Sequence, residues 1–599
     1  MMGGMIKLMQ LPVPDPRHTY TEGNVPLAAG YLAASLAGAG IPAAIMPREV
    51  ADRGGDAAVL AWILDDPPEA LGVTCFMWNL ERSLWIVRKV REAQPDCRIV
   101  LGGVEMVSHH PLVEHAPVDT AVIGEGEEIL PAWASTPPAH GAAPRWLCAP
   151  PPPDLARVRD PYLSGILSPR RGEIFFVETM RGCPYSCQYC LYSKRQPGLR
   201  FFPGSRVEAL FRLARESRVS EIYLMDPSFN VTPDLERRLA DLEAWNPDGI
   251  PLHSEARLEA VTPEVAKAMG RAGFRSVEVG LQSTNPVALE TVSRSWDREK
   301  FLRGARLLRE QEIRVQTGVI LGLPGDGVAD FLRTLDFVME SGLAEGMEIY
   351  PLSLLPGTRL RERAGDLGIS FQDLPPYQVT ATAEMSFDEL RLAVTAAEDR
   401  LDIEFDPPVV PAFANPAAGF VEYLDLRSRG FPGSGSDLPN PAKIANRLTL
   451  RFTPNIAESE LRSASGWIKE FTPYTLIQLV VDSDDFPEKA WCRRLPGWFS
   501  GEEQYFDRLH VYAPRGGRRY AVSLFHLTGD PGVMERHLAA PGVSEPVFRY
   551  APGSLRKVRA LLEEHPLLLI ENSINDTERK ELNNLYRGFE FLMVDVADR

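Results

Sequence analysis

Apolar positions along the chain recur in two alternating patterns. Short apolar runs closed by turn residues alternate with longer segments whose apolar side chains recur every three to four positions. The first read as strands and the second as amphipathic helices. In residues 1–135 the strand-like runs are IPAAIMP, EALGVTCF, RIVLGG and TAVIGEG, separated by the helical VPLAAGYLAASLAGAG and NLERSLWIVRKVREAQ. Alternating βα units predict a parallel sheet covered by helices. Ligands of such sheets bind at the carboxyl ends of the strands, where Gly102-Gly103 and Gly124-Glu125-Gly126 fall. Residues 136–170 are rich in Pro and Ala, with little periodicity. They read as an extended linker, ordered where Trp146 and Tyr162 pack.

Alternation returns in residues 171–370. EIFFVETM, EIYLMD, LHSEA, SVEVGLQ, VQTGVILGLP and GMEIYPLSL read as strands, and PDLERRLADLEAW, TPEVAKAMGRAG and REKFLRGARLLREQ as helices. Six such units predict a (β/α)6-type partial barrel with functional groups on the loops after the strands. Residues 371–599 look helical at first, with FDELRLAVTAAEDRLDIEF the clearest piece. After a loop-like stretch at 428–441, NRLTLRFT, YTLIQLVVD, RYAVSLFHL and PLLLIEN read as strands of a separate α+β domain. The predicted class is thus α/β: a Rossmann-like domain, a linker, a partial barrel and a C-terminal α+β domain.

Composition narrows the function. Length, 599 residues, suggests three or four domains, and 44% hydrophobic with 24% charged residues is ordinary for a globular chain. No apolar run is long enough to cross a bilayer, and MMGGMIKLMQLPVPDP lacks a secretory signal, so the cytoplasm is the expected compartment, with no membrane partner. The 64 Lys plus Arg against 81 Asp plus Glu leave a formal charge of -17, which argues against a nucleic-acid surface. Seven cysteines are too few for a disulfide scaffold. Cys75, Cys97, Cys148 and Cys492 are scattered and read as small buried side chains.

The other three cysteines carry chemistry. Glu178-Thr-Met-Arg-Gly-Cys183-Pro-Tyr-Ser-Cys187-Gln-Tyr-Cys190 directly follows the first barrel strand. Thiolates at C-x3-C-x2-C can hold three corners of a 4Fe–4S cluster. With no fourth cysteine near, one iron is left open to an exogenous ligand. A structural zinc site would need a fourth protein ligand, and no His lies near this loop.

This loop resembles that of the radical S-adenosylmethionine superfamily, and Tyr189 before the last cysteine fits it. In that family S-adenosylmethionine binds the open iron, and an electron from the cluster cleaves it to a 5′-deoxyadenosyl radical. Asp226-Pro-Ser-Phe-Asn230 resembles the family's D-x-x-F-x segment, and Glu255-Ala-Arg257 ends the strand where polar groups face adenosylmethionine. Glu278-Val-Gly-Leu-Gln282-Ser283 is similar to E-x-G-x-Q-S, Gly318-Val-Ile-Leu-Gly322-Leu-Pro-Gly325 to G-x-I-x-G-L-P-G, and Pro356-Gly-Thr358 to P-G-T. Physically, glycines permit backbone approach to a nucleoside, and Arg pairs with a carboxylate. The resemblance implies cofactor contacts at Tyr189, Asp226, Asn230, Glu255, Arg257, Gln282, Ser283 and Gly322.

Residues 1–135 resemble the cobalamin-binding domain of one subgroup. Thr74-Cys-Phe-Met-Trp78-Asn79 is similar to its S-x-Y-x-W-N strand end, Leu101-Gly102-Gly103-Val-Glu105 to its G-G-x-x loop, and Val122-Ile-Gly-Glu125-Gly126-Glu127 to its I-G-E-G-E turn. The D-x-H-x-x-G pattern of His-ligated cobalamin is absent. The resemblance therefore implies that Trp78 shields the lower corrin face and that Asn79, Gly102, Gly103, Glu125 and Gly126 help to hold the cofactor. His109, His110 and His115 read as surface or capping residues. Trp491, Trp498, Tyr505 and His526 are weighed as pocket residues but read more simply as core.

The implied activity is a methyltransferase of natural-product biosynthesis that uses methylcobalamin and the 5′-deoxyadenosyl radical. It would methylate an unactivated carbon of a small molecule or peptide, drawing electrons from an external flavodoxin or ferredoxin. The C-terminal domain is expected to close over the substrate. Alternatives are a cobalamin-dependent rearrangement or cyclisation, polar methylation with Glu278 or Tyr350 blocking the open iron, and a non-catalytic cobalamin or redox sensor.

Overall fold

The computed structural model describes residues 5–13, 25–136, 144–149, 154–192, 198–402, 405, 410–416, 419–428, 430–431, 439–509, 511–512, 521–539, 544–563, 567–570, 576–585 and 592–593. The N-terminal sheet contains β1 (Ile6–Gln10), β2 (Ala43–Ile45), β3 (Ala70–Thr74), β4 (Arg98–Gly102), β5 (Thr120–Ile123) and β6 (Arg145–Cys148). All pairs are parallel and the order is β2-β1-β3-β4-β5-β6. The order reverses between β1 and β3, which places a ligand crevice beyond the carboxyl ends of those two strands. Helix Leu80–Ala93 packs one face through Leu80, Leu84, Val87 and Val90. Helix Leu27–Gly38 covers the other face. It is apolar all round because it is enclosed twice: Leu36 packs on the sheet, while Tyr31 joins the barrel core.

β6 lies inside the segment 136–170 read as a linker. Its Trp146 and Leu147 pair with Ala121 and Val122 of β5, which makes it the sheet's edge. Downstream, Leu155, Val158 and Tyr162 are buried in the barrel core, where Tyr162 meets Phe175 edge-on at 4.6 Å.

The barrel strands are β7 (Ile174–Val177), β10 (Glu221–Leu224), β11 (Leu252–Glu255), β12 (Phe274–Gln282), β13 (Arg314–Leu321) and β14 (Glu348–Pro351). They are parallel and in sequence order, and among the described residues β7 and β14 do not pair, so the barrel is partial. Between β7 and β10 a short antiparallel pair, β8 (Met180–Arg181) with β9 (Arg200–Phe201), frames the cysteine loop. A second antiparallel pair, β15 (Ser370–Phe371) with β16 (Val379–Ala381), and helix Phe387–Leu401 follow. That helix starts on a Ser386/Glu389 capping box and packs on helix Val328–Glu340, so it belongs to the barrel's outer layer.

The C-terminal sheet runs β17 (Val421–Asp425), β18 (Ile444–Phe452), β19 (Leu476–Asp482), β20 (Val522–Thr528), β21 (Glu545–Tyr550), β22 (Leu567–Ile570) and β23 (Leu592–Met593). The C-terminal domain departs from the expected α+β arrangement. Every pair is parallel, the order is sequential and helices alternate with strands, so this too is an α/β layer. Crossovers of one hand put the helices on one face. Period-two alternation follows: Ile477, Leu479 and Val481 pack with the core on one side of the sheet, and Val480 joins Phe525 and Val547 on the other. Among the described residues no helix is long and apolar enough to cross a membrane.

Candidate active site

After β7 the chain turns onto the carboxyl rim of the barrel. Asp226, fully buried just beyond β10, holds that turn. Its Oδ1 accepts the N–H groups of Thr179 (2.9 Å) and Met180 (3.1 Å), its Oδ2 accepts the Thr179 hydroxyl, and Arg238 stands 3.5 Å away. Burial raises the Asp226 carboxyl to about 6, against the pull of these donors. Asn230 braces the next loop: its side chain exchanges two 2.8 Å hydrogen bonds with the backbone of Arg257. Ser283 is buried and donates to Asp326. Gly322, at φ +90°, packs near Leu390 and Val379. Of the residues expected at adenosylmethionine, these four stand behind the site and brace it.

The remaining residues meet in one cavity of about 310 Å3 inside the barrel. Cys183, Cys187 and Cys190 line it with Tyr185, Tyr189 and Tyr192. Glu255, Arg257, Glu278, Gln282, Arg294, Thr317, Glu348 and Tyr350 line the rest. Burial raises the Cys183 thiol, while a backbone hydrogen bond to Tyr185 and the Ser228 side chain lower it. Arg294 Nη1 lies 3.4 Å from the Tyr189 hydroxyl and 3.9 Å from Cys187 Sγ. The Arg257 guanidinium stacks 4.6 Å from the Tyr185 ring. Burial and the neighbouring Glu278 push Glu255 up to about 7. Gln282 adopts φ +73°, and its buried Oε1, like Thr317 Oγ1, has no partner among the described residues.

These groups fit the cofactors the sequence implies. Among the described residues no three His, Cys, Asp or Glu side chains converge on a point as a single ion requires. The three thiols instead share a cavity wall, which suits the separate irons of a cubane. The unpartnered Gln282 and Thr317 oxygens and two guanidiniums suit a ligand with hydroxyl and carboxylate groups.

At the N-terminal switch point, Asn79 ties β1 to β3: its Nδ2 donates to Leu11 O (2.9 Å) and Thr74 O (3.2 Å), and its Oδ1 accepts from Phe76 N. Trp78 stacks on Phe76, with centroids 4.4 Å apart, and packs with Leu476, Tyr505 and Phe506. Its buried Nε1 has no partner among the described residues. A Cβ on Gly103 (φ +102°) would collide with Cys75 O, whereas one on Gly102 would meet open space. Next to these, Val104 is 47% exposed. Open space beside Gly102, the exposed Val104 and an orphaned indole N–H suit a large planar cofactor. Gly126 lies under Leu32, and Glu125 is taken up by Arg181 and Arg200.

The Radical SAM superfamily matches residues 177–338, and the B12 binding domain family matches residues 19–134. The chain thus carries a segment matching each of these two domain families. The segment matched to the B12 binding domain family carries β2–β5, and the one matched to the superfamily carries the cysteine loop. Two curated relatives are similar. The "Cobalamin-dependent radical SAM methyltransferase TokK" of Streptomyces tokunonensis is 27% identical over 49% of this chain and 48% of its own. The "2-(S-pantetheinyl)-carbapenam-3-carboxylate methyltransferase" of Streptantibioticus cattleyicolor is 28% identical over 51% and 50%. The chain thus spans about half the length of the curated relatives it matches. Two solved structures share the fold. The cobalamin-dependent S-adenosylmethionine radical enzyme OxsB has TM-score 0.53 at 15% identity, over 67% of this chain and 66% of that one. TsrM, a radical S-adenosylmethionine methyltransferase from Kitasatospora setae, has TM-score 0.50 at 19% identity, over 62% and 79%.

Sequence reasoning missed Arg294 and Thr317. Arg294 sits in an ordinary Ser-Arg-Ser turn, and Thr317 is one inward position of a long strand, so neither carries a local signal. Among the described residues, those lining the cavity run from Cys183 to Tyr350. The C-terminal candidates Trp491, Trp498 and His526 pack within their own domain, and Tyr505 packs beside Trp78.

Proposed function

We propose that this chain is a cobalamin-dependent radical S-adenosylmethionine methyltransferase acting on an unactivated carbon of a small molecule or peptide in natural-product biosynthesis. The supporting observation is that three cysteines line one barrel cavity while the turn after β5, in the B12-binding domain, grips the loop that carries them. When bound, the cluster with adenosylmethionine supplies hydrogen abstraction and cobalamin supplies the methyl group. Cys183, Cys187 and Cys190 would hold the cluster. Arg257 and Arg294 would orient the adenosylmethionine carboxylate, and Gln282 and Thr317 would accept or donate to its polar groups. Trp78 would shield the lower corrin face, and the barrel walls would keep water from a reactive radical. The electron would come from an external flavodoxin- or ferredoxin-type donor in the cytoplasm.

The test is anaerobic incubation of the reconstituted chain with methyl-deuterated adenosylmethionine, cobalamin, reductant and candidate substrates, read by mass spectrometry. The pantetheinyl-carbapenam named for one relative is among the candidates. We expect 5′-deoxyadenosine, S-adenosylhomocysteine and a deuteromethylated product, all lost in Cys183→Ala, Cys187→Ala and Cys190→Ala. 5′-Deoxyadenosine with a rearranged, unmethylated product would replace methyl transfer by rearrangement. No cleavage with full cluster and corrinoid would overturn the enzymatic reading.

A further inference from the structure

Two residues before Cys183, Arg181 is a buried cation with an unusual set of neighbours. Its Nη1 donates to Glu127 (2.7 Å) and Glu125 (3.0 Å) of the N-terminal domain, and its Nε and Nη2 to Glu178 of the barrel (3.2 and 3.0 Å). The guanidinium lies 5.0 Å from the Tyr31 ring and 5.5 Å from that of Phe202. Glu125 also accepts from Arg200. Arg181 is on β8 and Arg200 on β9, the two strands that close the cysteine loop. One carboxylate of the N-terminal domain therefore holds both ends of that loop.

Position, not charge, distinguishes this cluster. A surface ion pair contributes little. Here the Arg181 side chain is 7% exposed and those of Glu125 and Glu127 are 11% and 9%. A planar fork bonded on several edges tolerates little displacement. Resting on the function proposed above, we infer that Arg181 is a positioning residue: with Glu125, Glu127 and Arg200 it clamps the cysteine loop to the B12-binding domain and sets the distance between cluster and corrin. The I-G-E-G-E turn then acts through its carboxylates on the barrel. Methyl transfer depends on that distance, while adenosylmethionine cleavage, confined to the barrel, does not.

Arg181→Lys keeps the charge and removes the fork. Glu127→Gln is isosteric and serves if the Arg181 variant does not fold. Each is loaded with cluster and cobalamin, and the iron and corrinoid contents are measured. The electron paramagnetic resonance of cob(II)alamin is then recorded with the cluster oxidised and reduced. In the parent chain, reduction should speed cob(II)alamin spin relaxation through dipolar coupling. In both variants that enhancement should weaken at unchanged loading. Methyl transfer should fall on the order of 10- to 100-fold, since displacements near 1 Å are that costly, while cleavage stays within about twofold. A merely structural role would lower stability or loading and leave the relaxation of the loaded fraction unchanged, and that result overturns the clamp. A parent chain that binds no corrinoid overturns the function reading instead.

Discussion

Trp78 illustrates how much a single side chain discloses. Its motif, Trp78-Asn79 after a strand, was legible because strand ends in a βα sheet are where ligands bind. Its neighbours were not, since Tyr505 and Phe506 lie over four hundred positions away and no local pattern links them. The same holds at the cluster: the cysteines announce themselves by spacing, whereas Arg294 and Thr317 reach the cavity only through the curl of the barrel. Asp226, Asn230 and Ser283 stood in recognisable motifs, but as braces, because a strand-end polar residue can serve a ligand or the loop that meets it. On the proposed placement of the indole beneath the corrin, Trp78→His would offer a nitrogen ligand and Trp78→Ala would admit water. Both variants should keep the cluster and cleave adenosylmethionine, with methyl transfer lowered by tenfold or more relative to cleavage. Nitrogen splitting in the cob(II)alamin spectrum of Trp78→His, absent from the parent, checks the geometry. Equal loss of both activities would make Trp78 merely structural.

Among the elements, most strands of the first two sheets were legible as short apolar runs, although β1 and helix Asp56–Asp65 went unread. β6, an edge strand with exposed ends, was hidden in a Pro-rich stretch. In the C-terminal domain four strands were legible but their parallel order was not, because pairing direction leaves no mark on the pattern of a single strand. One C-terminal contact sets a pH dependence. His526 Nε2 lies 2.9 Å from Ser483 O, a pure acceptor, so Nε2 carries the proton and Nδ1 is a lone pair. That nitrogen therefore accepts from His537 Nε2 at 2.7 Å, which leaves His537 Nδ1 bare, buried and unpartnered among the described residues. A proton on His526 would oppose two N–H groups, and one on His537 would bury an unpaired donor. Burial first, and the facing His526 next, lower His537 to about 4. Burial likewise lowers His526. A depressed histidine stabilises the fold above its unfolded value near 6.5, and that stability is lost as pH falls through 4. For His537 the loss is on the order of 3 kcal/mol. Urea unfolding followed at pH 7 and pH 4.5 should show the decline, and His537→Phe should flatten it. An unchanged slope in that variant would place the acid sensitivity elsewhere.

Buried polar contacts help to join the three sheets, and they bear on the place of the C-terminal domain. It is expected to close over the substrate; its described residues do not line the cavity, and it docks on the N-terminal domain. Asp56 is the hub. It is fully buried, accepts from Arg82 Nε (2.7 Å) and Tyr474 N (2.8 Å), and its own N–H donates to Thr472 Oγ1 (3.1 Å), while the adjacent Gly55 N–H donates to Ile444 O. A second strap runs from Arg508, which bonds Glu81 of the N-terminal domain and Pro375 O beyond the barrel. Between the two lie Tyr505 and Phe506, packed on Trp78. Holding the C-terminal domain in place therefore also keeps Tyr505 and Phe506 against Trp78 beside the β1–β3 switch point. Asp56→Ala removes the acceptor of Arg82 and Tyr474 N, and breaking such a buried pair costs roughly 3 kcal/mol. Because these contacts lie between domains, the loss should appear as local opening. Amide exchange should accelerate across 442–475 and 503–509 and stay unchanged in the barrel strands. Cobalamin should dissociate faster while iron content holds, since the cysteine loop lies outside this contact. Exchange that quickens equally in all three sheets would show instead that Asp56 supports global stability, and that the C-terminal domain has no separate hold on the corrin site.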